Sequence, residues 1–168
     1  QALAAKPLVS LIDPDAPEFG TPGDIPGRVR AFCRETGQPV PEAPGEVMRC
    51  IYQSLALKYR YAAAQIARCT GKTYRALHLV GGGVKDGLLC QMAADALGIE
   101  VIAGPVEATV IGNLLVQLMA AGEIAGLREA RQIVAASETM RRYAPSGDAA
   151  WDDAWGRFVP IAERGTRT

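Results

Sequence analysis

A strand-like run that ends in three consecutive glycines constrains this sequence more than any other feature. Leu77–Val80 is apolar, Gly81–Gly83 follow it, and a helix-like pattern begins near Asp86. Glycine has no Cβ, so the backbone of this turn can come close to a ligand. The N-terminus of the next helix offers free N–H groups and a positive dipole end, which suit an anion. The turn therefore predicts a phosphate or nucleotide contact, although a tight strand-to-helix connection would use the same residues.

The residues around the turn predict a β-α-β-α unit. A strand over Ala76–Val80 leads through the glycines to a helix over Asp86–Leu97, which Gly98 ends. A second strand over Ile99–Ala103 precedes a helix over Val106–Ala121. Strands and helices that alternate in this way are typical of an α/β domain.

Three further helices are predicted from apolar residues that recur every three or four positions. A long one runs from Glu46 to near Gly71, and two follow at Leu127–Glu138 and Asp148–Phe158. We expect the long helix to pack through its apolar stripe and the last one through its aromatic side. The stripe consists of Ile51, Leu55, Tyr59, Ala62 and Ile66, and the aromatic side of Trp151, Ala154, Trp155 and Phe158.

Residues 1–45 differ from the rest of the chain because they hold eight of its eleven prolines. Proline removes a backbone donor and interrupts helices, so this segment is predicted to be mostly loop, with one short helix over Pro26–Thr36. The segment is too rich in proline to build its own core. We expect it to wrap around, or lead away from, another domain.

The composition excludes several classes of function. Eighteen basic residues balance eighteen acidic ones, so the chain has no net positive charge that would attract nucleic acid or an anionic membrane surface. The apolar runs are too short to span a bilayer and no signal-peptide pattern is visible, so a cytoplasmic protein is expected. With 168 residues and 49 % hydrophobic content, the chain is long enough to bury a core.

Neither a metal site nor an acid–base pair is predicted. The four cysteines form no CxxC pair, and the only histidine, His78, lies inside a predicted strand where packing explains it. Cys33 and Cys50 flank a proline-rich loop. They are either buried free thiols or a bridge that clips this loop, and a reducing cytoplasm favours the thiols.

Several runs of the sequence together resemble one known family. They are Ala31–Pro41, Val80–Gly83, Gly98, Val101–Thr109 and Gly112–Asn113. In order and spacing they are similar to the FGGY carbohydrate kinases, and within them to the branch that phosphorylates L-rhamnulose. These kinases share a superfamily with actin and the heat-shock ATPases. The resemblance implies an α/β, ribonuclease H-like nucleotide-binding lobe over residues 46–168, incomplete because only the C-terminal portion of such a kinase is matched.

The same resemblance implies the chemistry. The chain is expected to bind ATP or ADP with Mg²⁺, and the whole kinase to transfer the γ-phosphoryl group to the 1-hydroxyl of L-rhamnulose. The family's catalytic base is an aspartate in a His-Asp-Thr-Ala-like segment, and no His-Asp pair occurs here. No catalytic residue is therefore assigned within this sequence. Because phosphoryl transfer depends on positioning both reactants, we expect the 168 residues alone to be inactive.

The resemblance places the nucleotide against the backbone of Gly81, Gly82 and Gly83, with Gly82 as the first candidate. Asp86 stands where the family commonly has Asn. Aspartate can cap the helix, but it cannot donate a hydrogen bond and it adds a negative charge near an anion. Capping alone and capping together with nucleotide contact both stay open for Asp86.

Two residues of the helix that follows the second strand are interpreted structurally. Glu107 is a first-turn carboxylate that complements the helix dipole. Gly112 in mid-helix is expected to mark close packing against a neighbouring helix, since glycine otherwise lowers helix stability.

Two other classes of function were weighed against a kinase. A non-catalytic α/β packing or oligomerisation module would bind no nucleotide. A dinucleotide-binding oxidoreductase is disfavoured because the glycine turn is not Gly-x-Gly-x-x-Gly and no acidic residue closes a following strand in the expected place.

Overall fold

The computed structural model describes residues 1–164, so residues 165–168 of the predicted lobe lie outside the described residues. The described part contains six α-helices and three β-strands. In chain order they are α1 (Ile25–Glu35), α2 (Pro44–Thr70), β1 (Ala76–Leu79), α3 (Gly87–Leu97), β2 (Glu100–Ala103), α4 (Ala108–Ala120), α5 (Leu127–Ser137), β3 (Arg141–Tyr143) and α6 (Ala150–Ala162). Every predicted helix and strand is present, with most ends within two residues of the expected ones.

The strands form one sheet in the order β1-β2-β3. β1 and β2 run parallel, as a β-α-β unit requires, and β3 pairs with β2 in the antiparallel direction. The sequence analysis did not predict β3. Its residues are Arg-Arg-Tyr, which show no apolar alternation, so the strand exists through its hydrogen bonds to β2 rather than through a pattern of its own.

Helix α3 covers one face of this sheet. Leu77, Val101 and Tyr143 lie side by side in the register of the three strands, and they pack with Cys90 of α3 in one buried cluster. The helix ends as predicted at Gly98, whose φ of 66° is the left-handed conformation that favours glycine. The glycine turn is thereby fixed between a strand and a helix that pack on each other.

The long helix α2 is present, but the prediction of its buried side was wrong. Ala62 is exposed and Ile66 is 52 % exposed, and the other members of the predicted stripe are only half-buried. The buried residues are Gly45, Val47, Cys50, Gln53, Ser54, Ala56 and Leu57. Two of them are polar, so a search for apolar periodicity could not find this side of the helix.

The main core lies where α2, α3 and α6 meet. Leu57 of α2, Met92 of α3 and Phe158 of α6 belong to one buried cluster, in which Leu57 and Phe158 are fully buried. Trp151 of α6 is buried in the same cluster, and Trp155 packs against it half-buried. The predicted packing role of the α6 aromatic residues is confirmed.

The proline-rich segment lies against α2 and is held there by buried polar side chains. The backbone N–H of Leu8 donates to Gln53 Oε1 at 2.8 Å, and that of Ile12 donates to Ser54 Oγ at 2.9 Å. Leu11, between them, is fully buried in the main core. These contacts explain why two polar residues of α2 are buried, because each accepts a hydrogen bond from a backbone donor of the proline-rich segment.

Cys33 of α1 and Cys50 of α2 are free thiols buried in one apolar cluster. The neighbouring Cys33 thiol and burial together raise the pKa of the Cys50 thiol. Of the two alternatives that the sequence left open, the structure contains the thiols.

Helices α4 and α5 form a hairpin with its own small cluster, in which Leu115, Ile124 and Ala130 are buried. The expectation of close packing at Gly112 was wrong. Gly112 is exposed, and no heavy atom lies within 4 Å of the position that a Cβ would take. In residues 1–164, no helix combines the length and the apolar character that a membrane crossing requires.

Candidate functional site

The glycine turn lies at the carboxyl end of β1, beside the loop that follows β2. The Gly81 N–H donates to the Pro105 carbonyl at 3.2 Å, and the Gly104 N–H donates to the Leu79 carbonyl at 2.9 Å. Gly81 has φ 85°, which a residue with a side chain rarely adopts, and a short 3₁₀ turn over Gly82–Lys85 follows it. Both loops thus meet at the edge where ligands of parallel α/β sheets bind.

No contact or backbone strain within the described chain requires glycine at positions 82 and 83. Neither has a positive φ, and no heavy atom lies within 4 Å of the Cβ that either would carry. Both are exposed. The fold itself would accept side chains at these two positions, so their absence keeps the surface of the turn open.

The backbone donors of the same two glycines are available. Among the described residues, the N–H groups of Gly82 and Gly83 donate no hydrogen bond. Successive free N–H groups beside a helix N-terminus form a concave surface that binds anions. The turn therefore offers open space and unused donors at one place.

Asp86 caps α3, and the capping interpretation is confirmed. Its Oδ1 accepts the N–H groups of Leu88 at 3.0 Å and Leu89 at 3.1 Å, and its Oδ2 accepts the hydroxyl of Tyr52. The hydrogen bond from Tyr52, with those from the two amides, lowers the pKa of the Asp86 carboxyl. Contact between Asp86 and a nucleotide stays a prediction.

Two tyrosines beside the turn were missed by the sequence analysis. Tyr52 of α2 reaches Asp86 from 34 residues away, and the carboxylate raises the pKa of the Tyr52 hydroxyl. Tyr143 of β3 lies against the first turn of α3, where its hydroxyl is 3.2 Å from the Cβ position of Gly87. Neither residue belongs to a local motif, so only the packing of α2 and β3 on α3 reveals them.

The other candidates lie in ordinary structural positions. Lys85 is exposed, and Glu107 is the N-cap residue of α4, exposed and without a capping hydrogen bond from its side chain. His78 was expected to pack in the core or at a sheet edge, and it lies exposed on β1, which is an edge strand of the sheet. Its side chain forms no hydrogen bond or ion pair with the described residues.

A large cavity of the described chain lies away from the glycine turn. It is an open, mainly apolar groove of about 990 Å³ between the α4–α5 hairpin and the face of the sheet that α3 leaves uncovered. His78, Ile102 and Arg142, which adjoin in the strand register, line its sheet side. No residue of the turn lines it, so the groove and the turn are separate features.

Residues 1–164 offer no ready metal centre. No group of three or more His, Cys, Asp or Glu residues is placed to hold an ion. Asp86, the carboxylate at the turn, already accepts three hydrogen bonds.

Comparisons with known proteins identify the family. The model of the C-terminal domain of the FGGY family of carbohydrate kinases matches residues 1–121. A rhamnulokinase from Bacteroides thetaiotaomicron (strain VPI-5482) is 42 % identical over 158 residues, which cover 94 % of this chain and 33 % of the relative. The chain therefore spans about a third of the length of the curated relative that it matches.

The fold comparison agrees with the sequence comparison. The crystal structure of xylulose kinase from Rhodospirillum rubrum superposes with a TM-score of 0.56 at 18 % identity, over 76 % of this chain and 26 % of that one. This likeness confirms the predicted α/β fold. Because the family model covers most of its residues, the chain belongs to the FGGY family of carbohydrate kinases.

Proposed function

We propose that this chain carries the donor-nucleotide site of a sugar kinase, with the phosphates of ATP against the backbone of Gly81–Gly83. The observation that carries the proposal is the turn itself. Two free N–H groups, at Gly82 and Gly83, lie where no side chain fills the space, at the N-terminal side of α3. Backbone donors of this kind bind phosphate oxygens without needing a basic side chain.

We propose L-rhamnulose as the acceptor of the whole kinase, which would receive the γ-phosphoryl group on its 1-hydroxyl. Similarity to a rhamnulokinase over 94 % of this chain supports this choice. The 168 residues contain no His-Asp pair like the one that holds the family's catalytic base. The chain by itself would then bind nucleotide without transferring phosphoryl, because the acceptor and the base must be positioned together.

Mg²⁺ would reach this site on the phosphates of the nucleotide. The described residues provide no set of oxygen ligands for the ion, and Asp86 is occupied as a helix cap. Mg²⁺ in such sites keeps several waters and is bound largely through substrate phosphates. When bound, it would neutralise charge on the transferring group.

Calorimetric titration of the chain with Mg·ADP tests the proposal. Gly82→Val fills the open space with a side chain, and Gly126→Val serves as the matched control. Gly126 also precedes a helix, and no heavy atom lies within 4 Å of its Cβ position. We expect saturable binding by the wild type and by Gly126→Val, and none by Gly82→Val. Equal binding by Gly82→Val, or no binding by the wild type, would contradict the proposal.

A second candidate function, a packing or oligomerisation module, is favoured by one observation. The α4–α5 hairpin exposes large apolar side chains at Val110, Leu114, Val116, Leu127 and Ile133. An exposed patch of this kind is typical of a surface that another protein covers. This candidate predicts self-association in sedimentation velocity together with no heat of binding for Mg·ADP, whereas a nucleotide site predicts that heat at every oligomeric state.

A further inference from the structure

We propose that Tyr52 is a positioning residue for the nucleotide turn. Its hydroxyl holds the Asp86 carboxylate as a fixed helix cap, so that an acidic residue can lie beside an anion site. The inference rests on the proposed function and deepens it. It assigns a role to a residue of α2 that no motif indicates, and it concerns binding of the donor nucleotide rather than the chemical step.

The geometry ties Tyr52 to the turn through a single residue. Asp86 Oδ1 is used by the amides of Leu88 and Leu89, and Oδ2 accepts the Tyr52 hydroxyl. The backbone N–H of Asp86 donates to the Gly83 carbonyl at 3.2 Å, so the cap residue is also hydrogen-bonded to the turn. A displacement of the Asp86 carboxylate is thereby transmitted to Gly83.

The charge of Asp86 makes this restraint necessary. A carboxylate near the turn repels a polyphosphate, and a side chain that rotates freely could also compete for the donors of Gly82 and Gly83. The three hydrogen bonds hold both oxygens toward α3 and α2. Donation by a hydroxyl stabilises the charged oxygen in place and leaves the amides of the turn to a ligand.

The pair also explains why an aspartate at this position needs a donor from elsewhere. An asparagine here would carry no charge and would have its own N–H donor. With aspartate, the donor must come from another side chain, and Tyr52 supplies it. We therefore expect the hydroxyl of Tyr52 to matter only while residue 86 is an aspartate.

The titration behaviour of the two groups agrees with this arrangement. The hydrogen bond lowers the pKa of Asp86 and raises the pKa of Tyr52, so at neutral pH the carboxylate is charged and the phenol keeps its proton. Cys90, the other titratable group that the Asp86 charge affects, has its pKa raised first by burial and then by that charge. Its thiol is neutral and adds no competing charge.

A double-mutant cycle tests the inference on the 168-residue chain with Mg·ADP as the probe. Tyr52→Phe keeps the ring and removes the hydroxyl, and we expect it to raise the Kd by about three- to tenfold, as for loss of one hydrogen bond of ordinary net strength. In the Asp86→Asn background the same Tyr52→Phe substitution is expected to change the Kd by less than about twofold, so the two substitutions are not additive. Tyr61→Phe is the control, because Tyr61 also lies half-buried on α2 and its hydroxyl makes no hydrogen bond with the described residues.

A second readout does not depend on nucleotide. In an NMR titration of the side-chain carboxyl, Tyr52→Phe is expected to raise the pKa of Asp86 and Tyr61→Phe to leave it unchanged. If the pKa of the Asp86 carboxyl is the same in Tyr52→Phe as in the wild type, the inference is overturned.

The outcomes separate this inference from the proposed function. If the wild type binds Mg·ADP, Gly82→Val does not, and Tyr52→Phe binds as tightly as the wild type, the role of Tyr52 is refuted while the nucleotide site stands. If Tyr52→Phe weakens binding by the same factor in the Asp86→Asn background, the effect does not run through the Asp86 carboxylate and the role is refuted as well. A wild type that binds no nucleotide refutes the proposed function, and this inference with it.

Discussion

Two serines on two helices make the same local hydrogen bond but differ in burial. Burial is expected to decide how much each hydroxyl group contributes to the stability of the fold. Ser54 and Ser137 each donate to the carbonyl four residues earlier, at 2.6 Å and 2.7 Å. Ser137 is exposed, whereas Ser54 is fully buried and also accepts the Ile12 N–H at 2.9 Å. Only Ser54 therefore satisfies a donor that has no alternative in water.

Ser54→Ala is expected to lower the free energy of unfolding by about 1–3 kcal/mol, because it leaves the buried N–H of Ile12 without an acceptor. Ser137→Ala removes the same local bond at an exposed site and is expected to change stability by less than about 0.5 kcal/mol. Urea denaturation of both variants measures the difference. Equal effects would show that the contact of residues 8–12 with α2 is not a stabilising one.

The site residues differ in how far the sequence alone could reveal them. Gly81–Gly83 and the cap at Asp86 belong to a local strand–turn–helix pattern, so the sequence indicated both. Tyr52 approaches from another element, and no periodicity distinguishes it from the other apolar residues of α2. Its role depends on the crossing of two helices, which a pattern read along one chain does not contain.

At the level of elements, local sequence patterns located the helices and the strands of the β-α-β-α unit. The features that these patterns did not reveal depend on tertiary contacts. Gly98 ended α3 as predicted because its φ is positive. The buried side of α2 and the strand β3 were not predictable, since buried polar groups mark the first and pairing with β2 creates the second. Gly112 was misinterpreted for the opposite reason, because a mid-helix glycine in α4 has no neighbour to pack on.

Two glycines with equally open surroundings are expected to respond to alanine in opposite directions. At Gly98, with φ 66°, a Cβ costs about 1 kcal/mol of stability. At Gly112, inside α4 and without positive φ, alanine is expected to add about 0.5–1 kcal/mol. Thermal denaturation of both variants checks the signs. A loss of stability in Gly112→Ala would mean that a neighbour does pack at this position.

At the level of the whole molecule, the feature that explains the proposed activity is separate from the large apolar groove. The turn at Gly81–Gly83 offers free N–H groups and open space beside α3, with Tyr52 holding the adjoining cap. The groove of about 990 Å³ lies on the opposite face of the sheet, against α4 and α5. Cavity size alone would favour the groove as a ligand site, whereas the free backbone donors favour the turn as the proposed nucleotide site.

The most direct test of this account is an amide-resolved NMR titration of the ¹⁵N-labelled chain with Mg·ADP. We predict saturable shifts at the amides of Gly82 and Gly83 and at the first turn of α3, with the groove residues His78 and Ala130 unaffected. Shifts confined to the groove, or a spectrum that Mg·ADP leaves unchanged, would contradict the assignment of the glycine turn as the nucleotide site.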